Sequence, residues 1–277
     1  MTWSAVAVAA ESLAWLVAIF VPLQWAFPAR VQPLLRPRWG VDLAFFLGQR
    51  LLFAALAVVV IGRASEWLPA LPSLRAWATS QPLWLQAVMA SALGDLLVYW
   101  GHRLQHAWEP LWRFHAVHHT AEHLDFLAAH REHPLDGIYT QLWMNLPALL
   151  LGLRVDALMG LVAFRSLWAI FIHSNVQLPL GPLRWMFGAP DLHHHHHARD
   201  RHAGNYANLA PWLDALFGTL HVPTEVEPIG LSVPHPRSYV GLLVVPLLPR
   251  RLAERWIAWE RSDGSLEVDA TLNSSAT

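Results

Sequence analysis

Cysteine does not occur anywhere in the 277 residues. Its absence excludes disulfides, thiolate metal sites, iron–sulfur clusters and a cysteine nucleophile. Any bound metal must therefore take nitrogen and oxygen ligands. Lysine is also absent, and all 19 basic residues are arginine, a feature of composition rather than of chemistry. Charge is scarce: Asp, Glu, Lys and Arg make up 14% of the chain, against about 25% in an ordinary soluble protein. The formal net charge of −1 gives no basic surface for nucleic acid. Neither H-E-x-x-H nor G-x-S-x-G occurs, which removes the main support for a zincin protease or a serine hydrolase.

Apolar residues and tryptophan fill the space that charge leaves. Hydrophobic types reach 55%, mean hydropathy is +0.31, and there are 16 tryptophans, a residue that gathers at membrane interfaces. These values predict an all-α integral membrane protein with four to five membrane-embedded helices. Residues 4–27 are apolar over a length that crosses a ~30 Å hydrocarbon core. They lack a basic n-region, no cleavage site follows them, and Glu11 lies within them, so a span is expected rather than a signal peptide. Residues 41–62 and 83–101 form a second and third span. Two apolar stretches, 138–153 and 155–172, are parted by "LRVD" as a tight helical hairpin, the first short for a full crossing. "SYVGLLVVPLL" at 238–248 is too short to span and is expected in the interface. Residues 1–261 read as a single domain, and the polar segment 262–277 as a disordered tail.

Arginine placement orients the spans. The 28–40 segment carries Arg30, Arg36 and Arg38 and no acid, whereas 63–82 carries Arg63 and Arg75 with Glu66. The positive-inside rule puts 28–40 in the cytoplasm. Counting spans from there makes residues 102–136, and all residues from 173, cytoplasmic. All 17 histidines lie between His102 and His235, so every one falls on that side, in a histidine-rich helical cap.

The histidines have ligand spacing. His102 and His106 are i, i+4; His115, His118 and His119 are i, i+3, i+4; and the same spacing recurs at His193, His196 and His197 inside a run of five histidines. On helices such spacings gather rings on one face. A pairing of His194 with His197 fits the run equally well. His133, before Pro134, and His173, at the end of the fifth apolar stretch, lie nearby. Imidazole suits Fe, Zn, Cu and Ni, and one metal takes four to six ligands, so eight to ten histidines suit two metals. Two adjacent metals can bind O₂ between them. His221 and His235 are isolated and read as surface residues, while His123, His130, His194, His195 and His202 carry no assigned role. Asp95 and Arg165 both fall within expected spans, where charge is costly and faces a bundle interior or a site. Asp95 is placed either to orient His102 or to pair with Arg165.

The segment "GDLLVYWGHRLQHAWEPLWRFHAVHHTAEHLDFLAAHREHPLD", and the later H-S-N at His173, Ser174 and Asn175 with an N-Y…W-x-D-x-L-F-G-T ending, resemble the fatty acid hydroxylase / sterol desaturase superfamily. The resemblance covers roughly residues 25–222. It implies a membrane-bound, O₂-dependent di-iron oxidoreductase that hydroxylates or desaturates a lipid C–H bond, in a sterol, a fatty acyl chain or a related lipid. It implies His102, His106, His115, His118, His119, His193, His196 and His197 as ligands to two non-haem iron ions, with His133 and His173 as further ligands and Asn175 beside the metals. A separate electron-transfer protein, ferredoxin or cytochrome b5-like, is expected to supply electrons, and the lipid to enter from the bilayer. The expected location is a bacterial inner membrane, with the histidines on the cytoplasmic side. The competing readings are an ether-lipid monooxygenase and a membrane protein that only binds metal. Haem would need two axial histidines rather than three clusters.

Overall fold

The computed structural model describes residues 3–69, 71–154 and 158–273, with side chains from residue 4 through residue 262. Its regular elements are helical, and among the described residues extended pairing is limited to two isolated bridges, Pro28 with Val176 and Ala198 with Ile229.

Among the described residues, three helices are long and apolar enough to cross a membrane. The first is α1 (Trp3–Ala26). The second is built from α2 (Trp39–Gly48), a π-helical turn at Gln49–Phe53, and α3 (Ala54–Ser65). After the short α4 (Pro72–Ser80) comes the third, α5 (Leu83–Ala107). Then follow α6 (Glu109–His119), α7 (Pro134–Leu151) and α8 (Met159–His173). The expected fourth and fifth membrane stretches are thus α7 and α8. At 15 residues, α8 is about 22 Å long at 1.5 Å per residue, short of the ~30 Å core. Residues 155–157 of the hairpin lie outside the described residues. Short helices α9 (Leu183–Phe187), α10 (Pro190–His196), α11 (Trp212–Leu216) and α12 (Tyr239–Val244) punctuate the polar C-terminal half. Finally α13 spans Arg250–Asn273, so helix continues past residue 262, where composition pointed to an irregular tail; an ion pair between Arg250 and Glu254, one turn apart, supports its start. Residues 274–277 of that tail lie outside the described residues.

Packing brings the ends of α5 and α8 together. α5 lies against α7 closely enough that a Cβ on Gly94 would sit 2.9 Å from the Met144 carbonyl oxygen; only glycine fits there. On the other flank, Leu16 and Phe20 of α1, Phe46 of α2, Phe126 and Ile170 to Ile172 form one buried apolar cluster. The segment at 238–248 is a short helix and a 3₁₀ turn, with Leu242 buried against Phe45 and Val117.

A buried ionic network ties the loop after α6 to the second span. Arg36 donates twice to Asp125, at 2.7 Å, and once to Asp42, at 2.5 Å; Arg131 donates to the other Asp42 oxygen at 2.5 Å. All four side chains are almost fully buried. Arg36, counted above as a loop charge, is therefore an internal residue.

Candidate metal centre

Four helix ends converge at one place. α5 contributes His102 and His106 from its last turns; α6 contributes His115, His118 and His119; α8 contributes His173; and α10 contributes His193 and His196, with His197 just after it. Their rings form two groups. His102, His106, His115, His119 and His196 make the first, and His118, His173, His193 and His197 the second. Within each group the candidate ligand atoms lie within 4.8 Å of one another. Each H-x-x-H-H therefore serves both groups. His115 and His119, one turn apart, enter the first, and His118 the second; His193 and His197 enter the second, and His196 the first. The two groups touch, with the His119 and His197 rings stacked at 4.5 Å.

Hydrogen bonds fix which ring nitrogen faces inward. A carbonyl can only accept, so an Nδ1 bonded to one must carry the proton, leaving Nε2 as a bare lone pair. Five rings are set this way. His102 Nδ1 donates to Tyr206 O at 2.6 Å, His106 to Arg201 O at 2.5 Å, His118 to Arg131 O at 3.1 Å, His173 to Ala169 O at 2.6 Å and His196 to Gly204 O at 2.8 Å. His115 Nδ1 lies 3.0 Å from Asp136 Oδ2, and Gln105 donates to the other oxygen of that carboxyl.

The inward nitrogens fit metal ions and little else. His118 Nε2 and His173 Nε2 are 2.9 Å apart, and each is a lone pair by the preceding argument. Two such pairs repel unless a cation lies between them. His106 Nε2 and His196 Nε2 are buried without a hydrogen-bond partner, a costly condition that a metal relieves. Burial, reinforced by neighbouring imidazoles, holds His115, His119, His193 and His197 well below the usual histidine range, so they are neutral and competent to ligate. Nine neutral nitrogen donors suit two divalent transition metals.

The Fatty acid hydroxylase family profile matches residues 87–219. Over 191 residues the chain is 31% identical to a Delta(7)-sterol-C5(6)-desaturase of Nicotiana tabacum, covering 62% of this chain and 68% of that protein. The chain belongs to the fatty acid hydroxylase / sterol desaturase superfamily. It is also 30% identical over 175 residues to an ornithine lipid hydroxylase of Rhizobium tropici (61% of this chain, 53% of that protein). To human alkylglycerol monooxygenase it is 32% identical over 142 residues (50% and 32%). The chain thus spans about half the length of the ornithine lipid hydroxylase and a third of the alkylglycerol monooxygenase. No solved structure matches it.

Against the superfamily resemblance, His133 and Asn175 sit elsewhere, and of the two readings of Asp95 the pairing with Arg165 is the one seen. His133 joins neither group: its Nδ1 accepts from Leu135 N at 3.2 Å and its Nε2 donates to Leu243 O at 3.1 Å. It caps α7, whose first residue is Pro134, and that proline at the first helical position was the signal for a cap. Asn175 clamps the chain after α1, bonding Arg30 N and Arg30 O at 2.9 Å each. Asp95 pairs with Arg165 at 2.6 Å, while the Tyr206 carbonyl orients His102. The run of five histidines resolves to the register His193, His196, His197. His194 donates to Ser174 O, and His195 lies between Glu227 and Ala203 O.

The superfamily ending N-Y…W-x-D-x-L-F-G-T acquires a physical role. Asn205 bonds Leu192 O and both backbone groups of His221. Asp214 accepts from Tyr206 N, Ala207 N and the Thr219 hydroxyl. Together they hold the loop whose Gly204 and Tyr206 carbonyls aim His196 and His102. Gly204 has φ +88, and a Cβ there would lie 2.4 Å from Thr219 O, so the position requires glycine.

Beside the imidazoles lies a cavity of about 430 Å³, reached by His102, His115, His118, His173 and His193 and walled elsewhere by α5, α7 and α8. Gln49, Ala54, Glu132, Gln141 and Asn145 also line a second, largely apolar space of about 520 Å³ between α3 and α7. Glu132 stands at the junction, and burial pushes its carboxyl up to about 7.

Proposed function

We propose that this protein is a membrane-bound, O₂-dependent oxidoreductase that holds two iron ions and hydroxylates or desaturates a lipid C–H bond. The observation that carries the reading is the pair of imidazole groups, with inward lone pairs set by backbone carbonyls, at the end of a cavity between apolar helices. The names of its relatives point the same way: ornithine lipid hydroxylase, alkylglycerol monooxygenase and sterol desaturase. A protein that only binds metal needs no lipid-sized cavity beside its ligands.

His102, His106, His115, His119 and His196 would hold one ion, and His118, His173, His193 and His197 the other. Bound iron supplies O₂ activation and the redox equivalents for C–H cleavage. The chain's own contribution is positional. The carbonyls of Tyr206, Arg201, Arg131, Ala169 and Gly204 keep Nδ1 protonated and Nε2 bare. Val98, Trp143, Met144 and Ile170 line the cavity, hold an alkyl chain and keep water away from the reacting carbon. The space between α3 and α7 admits the lipid sideways from the bilayer. A separate electron-transfer protein, ferredoxin or cytochrome b5-like, delivers electrons on the cytoplasmic side of a bacterial inner membrane.

The test is metal per chain, by mass spectrometry, on detergent-purified protein carrying no added polyhistidine tag. Two irons per chain, with lipid-dependent O₂ uptake, is the expected result. One loosely held metal or none would sink the dinuclear centre.

A further inference from the structure

Asp95 and Arg165 face each other inside the helical bundle. Their ion pair is 2.6 Å long and each side chain is 11% exposed. Charges at this depth are costly, and an apolar pair of similar volume is often at least as stable. Stability alone therefore does not explain them.

Arg165 is only partly satisfied. Its Nη2 donates to Asp95, while Nε and Nη1 are buried with no hydrogen-bond partner. The guanidinium also lines the cavity that His102, His115, His118, His173 and His193 reach from the other end. Asp95 precedes His102 by seven residues on α5, and Arg165 precedes His173 by eight on α8. At 1.5 Å per residue the pair lies about 12 Å from the imidazoles along the helices. Val98, Trp143, Met144, Ala169 and Ile170 give the cavity apolar wall, beside polar side chains that include Ser91, Asn145 and Ser166. The cavity thus has the free guanidinium donors towards one end, apolar wall for an alkyl chain, and the imidazoles towards the other.

We infer that Arg165 is a substrate-binding residue, anchoring an uncharged hydrogen-bond acceptor on the lipid (an amide or ester carbonyl, or a hydroxyl) about two helical turns from the carbon that reacts. This deepens the lipid-oxidising reading and rests on it. The acceptor is uncharged because Asp95 already neutralises Arg165. A carboxylate would bring a charge that Arg165, already paired with Asp95, does not balance, whereas a carbonyl satisfies the free N–H groups at no electrostatic cost. Asp95 is the positioning residue that sets this preference.

Binding decides the point without turnover. Hexadecane, palmitamide and palmitate are competed against a fluorescent lipid bound to the detergent-purified, metal-loaded protein. Palmitamide is expected to bind roughly tenfold or more tighter than hexadecane, the discrimination of one hydrogen bond to a charged group, and palmitate less tightly than palmitamide. Arg165→Met removes the amide advantage but leaves hexadecane affinity and metal content unchanged. Asp95→Asn shifts the preference to palmitate. Equal binding of amide and alkane by the native protein, a native preference for palmitate, or an amide advantage that survives in Arg165→Met would each overturn the inference. If neither variant folds, the ranking by the native protein still decides. An amide preference in protein that retains no iron upholds the anchor and defeats the oxidase. Two irons and lipid-driven O₂ uptake without that preference do the reverse.

Discussion

His196 and His133 separate two jobs that one residue type can do. His196 has one nitrogen fixed by Gly204 and the other bare and buried among the first group. His196→Ala is expected to lose the metal of that group, read as a fall toward one metal per chain. His133 has both nitrogens engaged at the start of α7. His133→Ala is expected to keep the metals and cost about 1 kcal/mol, the value of a helix cap, seen as a lower thermal midpoint in detergent. The imidazole pattern was legible in the sequence because i, i+4 neighbours share a helix face. The division of each motif between two groups was not, because it depends on where α5, α8 and α10 meet. The residues that set the tautomers were also hidden. They act through backbone carbonyls, which no side-chain pattern records.

Acid sensitivity follows from the same burial. His130 and His194 belong to neither group, and burial holds both at about 3, against about 6.5 in an unfolded chain. Six buried ligands on α6 and in and after α10 are held low in the same way. Between those limits the unfolded state binds more protons, so stability rises with pH and is lost on acidification. Glu132, raised by burial to about 7, acts in the opposite sense, but one carboxyl is outweighed by eight imidazoles. The thermal midpoint should therefore drop as pH falls below about 6.5. A midpoint unchanged down to about pH 4.5 would contradict this account of the buried rings.

Among the elements, the second span does more than cross the bilayer. Hydropathy located it, and the structure adds what hydropathy does not carry. The π turn puts Gln49 against His130, with Gln49 Oε1 3.0 Å from His130 Nδ1 and Gln49 Nε2 donating to His130 O at 3.1 Å. Asp42, fully buried in α2, ties this span to Arg131, whose carbonyl orients His118. These partners lie 81 and 89 residues away in sequence, beyond any local pattern. Asp42→Asn leaves Arg36 bonded to Asp125 but Arg131 buried without a carboxylate partner, and should cost about 3–5 kcal/mol. Joining Asp42→Leu to Arg131→Met removes one charge of each sign and leaves Arg36 bonded to Asp125. That double variant should be more stable than Asp42→Asn despite changing more atoms. Thermal unfolding of both in one detergent checks the order, and a double variant less stable than the single would show that the network does not act as a charge-balanced unit.

The whole molecule sets the two imidazole groups at the ends of α5 and α8, beside a cavity that shares lining residues with the space between α3 and α7, the lateral entry of the proposed reading. Ala54, Ala57 and Gly62 line that space on α3, beside Val58 and Ile61, with Gly137 and Ile138 opposite on α7. Small residues along a seam usually let helices pack closely, yet here they border a space of about 520 Å³. On the proposed reading, their smallness would serve passage rather than packing. Ala57→Trp fills the opening without touching an imidazole or its hydrogen-bond partner. Lipid-dependent O₂ uptake should fall roughly tenfold or more, equivalent to at least ~1.4 kcal/mol on the route to reaction, while iron content and thermal midpoint stay at native levels. Val59→Trp, on an exposed face of α3, adds the same bulk outside the opening and should leave uptake unchanged. Equal losses in both variants would mean that added bulk on α3 disturbs the span in general. Full activity in Ala57→Trp would mean that lipid reaches the cavity by another path, with the seam between α5 and α8 the next to block.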